Sequence, residues 1–345
     1  MSNISSEQQQ KRIFITGGSG YIGSVVTRLA VEAGYAVVGL SRSEAGDAKL
    51  LALGAESAVR GDLTSVDVIR RESERAGAGA PGSGVLHLAD AWAGNWHLPY
   101  DRVVTIDGAA VDAMVEGLKQ GSGGQQRTLV TTSGSLVAES DPAGGETTEE
   151  APPSKDPANG RIKCEQHALS YDGKGVRVVT LRLAPFVYGR GGSGIGMCLR
   201  AAAGAGEAAW VGDGATRVTG VHVDDAARAY VLALSKAEAG AKGGAYNITH
   251  ETHVTARELA GALAQVLGVP AASRTFDEVV ASAGPGMLGK VLARFMSTEH
   301  RASNAKARRE LGWDPREKGL LEEITEGSYV DVARALKSEG KPAGA

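Results

Sequence analysis

Residues 12–23 read Arg-Ile-Phe-Ile-Thr-Gly-Gly-Ser-Gly-Tyr-Ile-Gly: a short apolar strand runs straight into glycines at 17, 20 and 23, and an amphipathic stretch over 21–33 follows. Strand, glycine turn and helix in that order commit the start of the chain to a βα unit. The glycine spacing adds a chemical meaning. A phosphate can approach backbone only where no Cβ intervenes, and the freed N–H groups together with the positive end of the next helix then hold its charge. Gly17, Gly20 and Gly23 suit that task, so the turn is expected to cradle the pyrophosphate of a dinucleotide.

The rest of the chain keeps the same rhythm. Strand-like runs at 36–40, 57–60, 85–88, 128–132 and 176–183 alternate with helix-like segments at 47–53, 65–75, 100–119 and 157–171. That alternation predicts a parallel sheet built from βαβ crossovers. Breaks rich in Gly, Ser and Pro at 77–84, 121–124 and 141–157 are loops. Beyond Pro185 the pattern loosens. A helix opens near 221–225, where Asp224 or Asp225 can cap it, 245–249 suits a strand returning to the main sheet, and 255–267 and 319–336 suit helices. The expected fold is α/β: a Rossmann-type, doubly wound, mostly parallel sheet over 1–185 and 219–249. A smaller discontinuous C-terminal lobe over 186–218 and 250–345 is expected to close a ligand crevice at the carboxyl ends of the strands.

Composition excludes several classes. The 345 residues, 42% apolar and 22% charged, suit a globular enzyme with a large core. A net charge of −3 with scattered cations offers no basic face to nucleic acid and no polybasic stretch to a membrane. The first eleven residues are polar and Gln-rich, unlike a signal peptide, and no apolar run approaches the ~20 residues of a membrane span. A cytoplasmic location is expected. Cys164 and Cys198 are the only cysteines, so neither a disulfide framework nor a metal is expected. G-x-x-x-x-G-K-[ST], H-E-x-x-H and G-x-S-x-G are all missing, which argues against P-loop NTPases, zinc hydrolases and α/β-hydrolases.

Further pieces fall at the ends of the strands: Gly61-Asp62-Leu63, His87-Leu88-Ala89, Thr131-Thr132-Ser133-Gly134, the run Arg182 to Gly189, Val221 to Asp225, and a tail from Ala302 to Trp313. With the glycine turn, they resemble the extended, here atypical, short-chain dehydrogenase/reductase superfamily of the NAD-dependent epimerase/dehydratase type, over nearly the whole chain. The resemblance implies that Tyr21 and Ile22 lie with the glycines at the dinucleotide. It places Asp62 and Leu63 beside adenine, Leu88 and Ala89 under the dinucleotide, and Pro185 and Val187 against the nicotinamide. It also admits a homodimer in which segments 100–119 and 157–171 pair with their symmetry mates.

Cofactor choice turns on the end of the second strand, where an acid would hold the ribose of NAD. Leu40-Ser41-Arg42-Ser43 stands there instead. A guanidinium and hydroxyls suit a 2′-phosphate, so NADP(H) is preferred over NAD(H), which stays open.

Members of the superfamily carry Tyr-x-x-x-Lys after the fifth strand, the tyrosine moving the proton and the lysine holding the ribose. The matching register here is Asn159-Gly160-Arg161-Ile162-Lys163. Lys163 is in place, while Asn159 stands for the tyrosine, and an amide can donate a hydrogen bond but not a proton. Ser133 ends a strand beside the expected nicotinamide and can donate to a developing oxyanion. Trp92, Trp96, His97 and Tyr100 are expected to form an aromatic substrate wall, with Tyr188, Tyr100 or His97 as displaced acids. Arg217 matches a position that holds phosphate in nucleotide-sugar enzymes of this type, though it has no second basic partner. The expected activity is NAD(P)-dependent oxidation or reduction of a carbonyl, hydroxyl or imine group on a small, mostly uncharged molecule. A nucleotide-binding regulator and a non-redox isomerase or cyclase are the alternatives.

Overall fold

The computed structural model describes residues 10–95, 97–282 and 287–339. Its first half alternates strictly: β1 (Arg12–Thr16), α1 (Tyr21–Glu32), β2 (Ala36–Ser41), α2 (Glu44–Ala52), β3 (Ser57–Arg60), α3 (Val66–Gly77), β4 (Gly84–His87), α4 (Tyr100–Gly121), β5 (Arg127–Gly134), α5 (Arg161–Leu169) and β6 (Val176–Leu183). There follow β7 (Phe186–Tyr188), α6 (Ser193–Ala205), β8 (Ala208–Val211), β9 (Gly220–His222), α7 (Val223–Glu238) and β10 (Gly244–Ile248). The chain continues through α8 (Ala256–Leu267), β11 (Ala271–Arg274), α9 (Phe276–Ser282), α10 (Met287–Ser297), α11 (Leu320–Glu326) and α12 (Tyr329–Glu339). The main sheet has seven strands in the order β10-β6-β5-β4-β1-β2-β3, and every pairing in it is parallel. The strand order reverses between β1 and β4, so a crevice opens beyond their carboxyl ends.

Side chains alternate across the sheet. Ile13 and Ile15 of β1 join one core with Val26 of α1 and Ala226 and Tyr230 of α7. Phe14 enters the opposite core with Ile69 of α3 and Met114 and Leu118 of α4. A third core lies in the C-terminal lobe, where Phe186, Leu199, Leu263, Ile324 and Tyr329 meet. The segment around Trp313 departs from the sequence division: Ala307, Leu311 and Trp313 pack on the sheet-side core. Asp225 explains this. It is fully buried, accepts from the backbone of Arg316 (2.8 Å) and Glu317 (3.1 Å) and pairs with Arg228, so it fastens that segment rather than capping α7. The cap is His222, whose Nδ1 accepts from Asp224 N at 3.2 Å. Asp224 pairs instead with Arg190. The predicted helix over 319–336 is broken at Gly327–Ser328, where Glu323 takes the Ser328 N–H at 3.1 Å and its hydroxyl at 2.6 Å. Among the described residues no helix is long and apolar enough to cross a membrane.

His300, between α10 and the Trp313 segment, is 2% exposed. Burial, with Arg182 nearby, pushes its ring pKa down to about 4 from 6.5. The folded state therefore prefers the neutral ring, so this contribution to stability is complete above the unfolded pKa and is lost as pH falls from 6.5 towards 4. Urea unfolding at pH 7 and pH 5 is expected to show a loss of about 2 kcal/mol from this group, which His300→Gln removes. An equal loss in the variant would contradict the assignment.

Candidate active site

The glycine turn forms one wall of a cleft of about 430 Å³ at the switch point. Gly17 has φ +74°, and a Cβ there would sit 2.7 Å from Ala89 N. A Cβ on Gly23 would lie 2.8 Å from the Gly17 carbonyl carbon and closer still to its oxygen, so the first turn of α1 reaches the loop only as glycine. The N-cap of α1 is Gly20, with no capping side chain and no acid in the first turn. Its N–H groups and dipole are left for an anion. Gly17, Gly20, Tyr21, Ile22, Gly23, Leu88 and Ala89 all face this cleft. Tyr21 also ties it to the lobe, its hydroxyl donating to Gly189 O at 2.8 Å.

Arg42, Ser41, Asp62 and Leu63 line the far end of the cleft. Arg42 is exposed and has no ion pair among the described residues. The Ser41 hydroxyl is committed to the loop, donating to Ser43 O at 3.0 Å. Asp62 Oδ1 accepts from the Thr64 hydroxyl (2.6 Å) and N–H (2.8 Å), which hold its carboxyl below the usual range. A Cβ-free turn, an uncapped helix end and an unpaired guanidinium together fit the phosphates of a dinucleotide.

A second cavity of about 240 Å³ adjoins the first and shares Leu88, Asp90 and Thr132 with it. Ser133 faces it from the end of β5; the residue is 4% exposed, and its Oγ has no hydrogen-bond partner among the described residues. Ser135 Oγ is buried and unpartnered in the same way. Such groups cost stability unless a ligand or water completes them. Asn159 Oδ1 accepts from Arg161 N at 3.0 Å, which leaves its amide N–H groups for the cavity. Pro185 and Val187 line the same space.

Lys163 is not there. α5 begins at Arg161, not at 157, and Lys163 extends into solvent with Nζ 3.0 Å from Asp101. The helix's rotation is set by Glu165, buried against Arg182 at 2.6 Å. Arg161, four residues before Glu165, shares that inward face, while Lys163 is turned by about 200° from Arg161. The inward cation is therefore Arg161, ion-paired with Asp90 and donating to Thr132 O at 3.3 Å. Four residues ahead of it stands Pro157. The phenol is missing in either register.

Other candidates are also placed elsewhere. Tyr188 is buried in the lobe core, its hydroxyl donating to Lys318 O at 2.9 Å. Arg217 is clamped by Glu299 (2.5 Å) and Gly144 O (3.3 Å). His97 is exposed and Trp92 is buried edge-on to Tyr100 at 5.5 Å; neither lines the two cavities. Trp96 lies outside the described residues. The substrate-side wall is consequently aliphatic, with Leu136, Val137 and Ile162, plus Phe295 from α10.

Beneath the junction, His87 meets Thr16 Oγ1 through Nδ1 (2.7 Å) and Asp107 through Nε2 (3.1 Å). Burial pushes the Asp107 carboxyl up, but His87 and the Arg161 charge outweigh it and hold the carboxyl below the usual range. Burial, reinforced by Asp107, pushes the Cys164 thiol up to about 12, which leaves it protonated and inert. Sequence reasoning missed Arg161, Asp90, Ser135 and Phe295. The Glu165–Arg182 pair was the one signal that could have shown the register.

The family model described as NAD dependent epimerase/dehydratase family matches residues 13–249. An uncharacterized protein of Schizosaccharomyces pombe is 32% identical over 319 residues, covering 92% of this chain and 99% of the relative. A 2-alkyl-3-oxoalkanoate reductase of Stenotrophomonas maltophilia is 27% identical over 334 residues, covering 90% and 97%. The solved structure of MoeE5 in complex with UDP-glucose and NAD superposes with a TM-score of 0.68 at 22% identity, covering 94% of this chain and 99% of that one.

Proposed function

The chain belongs to the NAD-dependent epimerase/dehydratase family, and from that premise we propose that it is an NADP(H)-preferring oxidoreductase. It acts on a carbonyl, hydroxyl or imine group of a small, mostly uncharged molecule. Gly17, Gly20, Tyr21, Ile22 and Gly23 hold the pyrophosphate, Ser41 and Arg42 the 2′-phosphate, Asp62 and Leu63 the adenine. Leu88 and Ala89 form the floor, and Pro185 and Val187 border the nicotinamide. When bound, the nicotinamide supplies or accepts a hydride. Ser133 donates a hydrogen bond to the substrate heteroatom, Asn159 adds a second through its amide, and Arg161 with Asp90 fixes the start of α5. The aliphatic wall excludes water around the reacting carbon. A homodimer through α4 and α5, working in the cytoplasm, belongs to this reading.

One observation carries the proposal: a separate cavity opens off the dinucleotide cleft, with the unpartnered Ser133 hydroxyl facing it. A nucleotide-binding regulator would need no such space. The oxo group of the 2-alkyl-3-oxoalkanoate named for the Stenotrophomonas relative, itself a carboxylate, supports carbonyl chemistry, and the engagement of Arg217 by Glu299 argues against a nucleotide sugar. The test is NADPH consumption, followed at the nicotinamide absorbance band, across neutral aliphatic ketones, aldehydes and imines. Turnover supports the proposal; NADPH binding without turnover of any of them contradicts it.

Arg42→Asp tests the cofactor preference. Losing a charge-assisted contact costs about 1.5–3 kcal/mol, so NADPH is expected to bind about 10–100-fold more weakly by calorimetry. NADH should bind as well or better. An unchanged NADPH affinity would exclude Arg42 from the site.

A further inference from the structure

The second cavity is bounded almost wholly by segments that the main sheet holds in place. Ser133 and Gly134 of β5 pair with Arg182 and Leu183 of β6, and Arg161, ion-paired with Asp90, holds the start of α5 beside them. Walls built on paired, close-packed strands cannot retreat from a ligand without disturbing the ladder, so their shape is fixed. Among the described lining residues only one lies beyond Val187 in the chain: Phe295, on α10 of the C-terminal lobe. At about 240 Å³ the enclosure is small, below the ~300–1,000 Å³ of sites that take drug-sized ligands.

Phe295 is itself held. Its ring meets Phe186 edge-on, with centroids 5.8 Å apart. Leu292, Ala293 and Met296 are buried in the lobe core, which fixes the rotation of α10 and leaves residue 295 on its flank. Arg294 pairs with Asp156 Oδ2 at 2.6 Å and donates to Asp156 O at 2.7 Å, tying the helix to the loop whose Pro157, Ala158 and Asn159 also line the cavity. Arg294 and Thr298, four residues apart and so on one face of α10, line a smaller cavity of about 20 Å³ that shares Leu136 and Ala158 with the first. The helix thus stands between two adjoining spaces, with the phenyl ring on the larger one.

Resting on the oxidoreductase reading above, we propose that Phe295 is the specificity-determining end wall of the substrate cavity, and that the preferred substrates are short-chain aliphatic carbonyl compounds whose alkyl chain stops at its ring. Ser133 keeps the reacting oxygen at the sheet end as a hydrogen-bond donor. The chain runs from there past Leu136, Val137 and Ile162 to Phe295. A methylene too many then meets the ring rather than open space, and chain length is read by the C-terminal lobe while the chemistry stays with the sheet.

The test follows kcat/KM for NADPH-dependent reduction along two series, butanone to decanone and butanal to decanal, in the unmodified protein, Phe295→Ala and Phe295→Trp. In the unmodified protein kcat/KM is expected to rise with chain length and then to fall ~10-fold or more with the next methylene. Phe295→Ala should move that break to chains longer by about two carbons while the shortest compounds react as before, and Phe295→Trp should move it to shorter chains. A loosened lobe would lower every rate alike and could not produce opposite shifts. A break at the same length in all three proteins would overturn the assignment of Phe295 and leave the oxidoreductase standing. A second readout needs no turnover: calorimetry of the 1-alkanols from butanol to decanol on the NADPH-loaded protein, where the affinity cut-off should shift in the same two directions. If neither carbonyl series is reduced and that cut-off still moves, the wall stands and carbonyl reduction falls; if neither is reduced and the cut-off does not move, both fall.

Discussion

Gly23→Ala is expected to weaken dinucleotide binding by about 100-fold or more, the equivalent of 2–3 kcal/mol. The added methyl would sit 2.8 Å from the Gly17 carbonyl carbon, and the next atoms it meets are also backbone. No flexible side chain can move aside, so the loop itself must shift. Gly17 cannot retreat freely, because its own φ of +74° and its approach to Ala89 N fix it from the other side. The shift therefore displaces the N–H groups at the start of α1 that face the cleft. Gly204→Ala is the control, since a Cβ there meets nothing within 4 Å. Calorimetric titration with NADPH should separate the two variants, and unchanged binding in Gly23→Ala would remove the glycine turn from the site.

Ser133→Ala is expected to lower kcat by about 100-fold while leaving NADPH affinity unchanged, the size of effect seen when a donor to developing charge is lost. Its signature distinguishes catalysis from structure. Ser133 Oγ has no partner among the described residues, so removing it breaks no hydrogen bond of the folded state and urea stability should hold or rise slightly. A structural hydroxyl would behave oppositely, with stability lost and kcat kept. Steady-state kinetics and unfolding on the same preparation decide between them.

What the sequence made legible was what local pattern determines. The run Arg12 to Gly23 carries its own strand, turn and helix signals, and β6 was readable to its ends as a β-branched and leucine-rich run, interrupted by Arg177, Thr180 and Arg182, between turns. The seven parallel strands followed from βαβ alternation, because a parallel pair requires a crossover. The site beyond the glycine turn was legible only in part. Ser133 was expected at the crevice because it ends a strand, and it lines the second cavity. Lys163 was misassigned because the rotation of α5 is set by Glu165 reaching Arg182, a contact 17 residues away in the chain. Arg217 was misread because Glu299, 82 residues distant, takes its charge. The expected aromatic wall failed for a related reason: Trp92 is buried against Tyr100, and Phe295 arrives from α10, in a part of the chain whose periodicity gave no hint of its destination.

The most direct measurement is isotope transfer. NADPH carrying deuterium at the transferable position of its nicotinamide ring is incubated with the protein and a C=O or C=N substrate, and the product is weighed by mass spectrometry. A product that gains one deuterium at the former double-bonded carbon is the result the proposed oxidoreductase predicts, with substrate bound in the second cavity beside the glycine-lined cleft. A product formed without deuterium would identify a non-redox isomerase or cyclase, and bound NADPH with no product would identify a regulator; either contradicts the assignment of hydride transfer to this site.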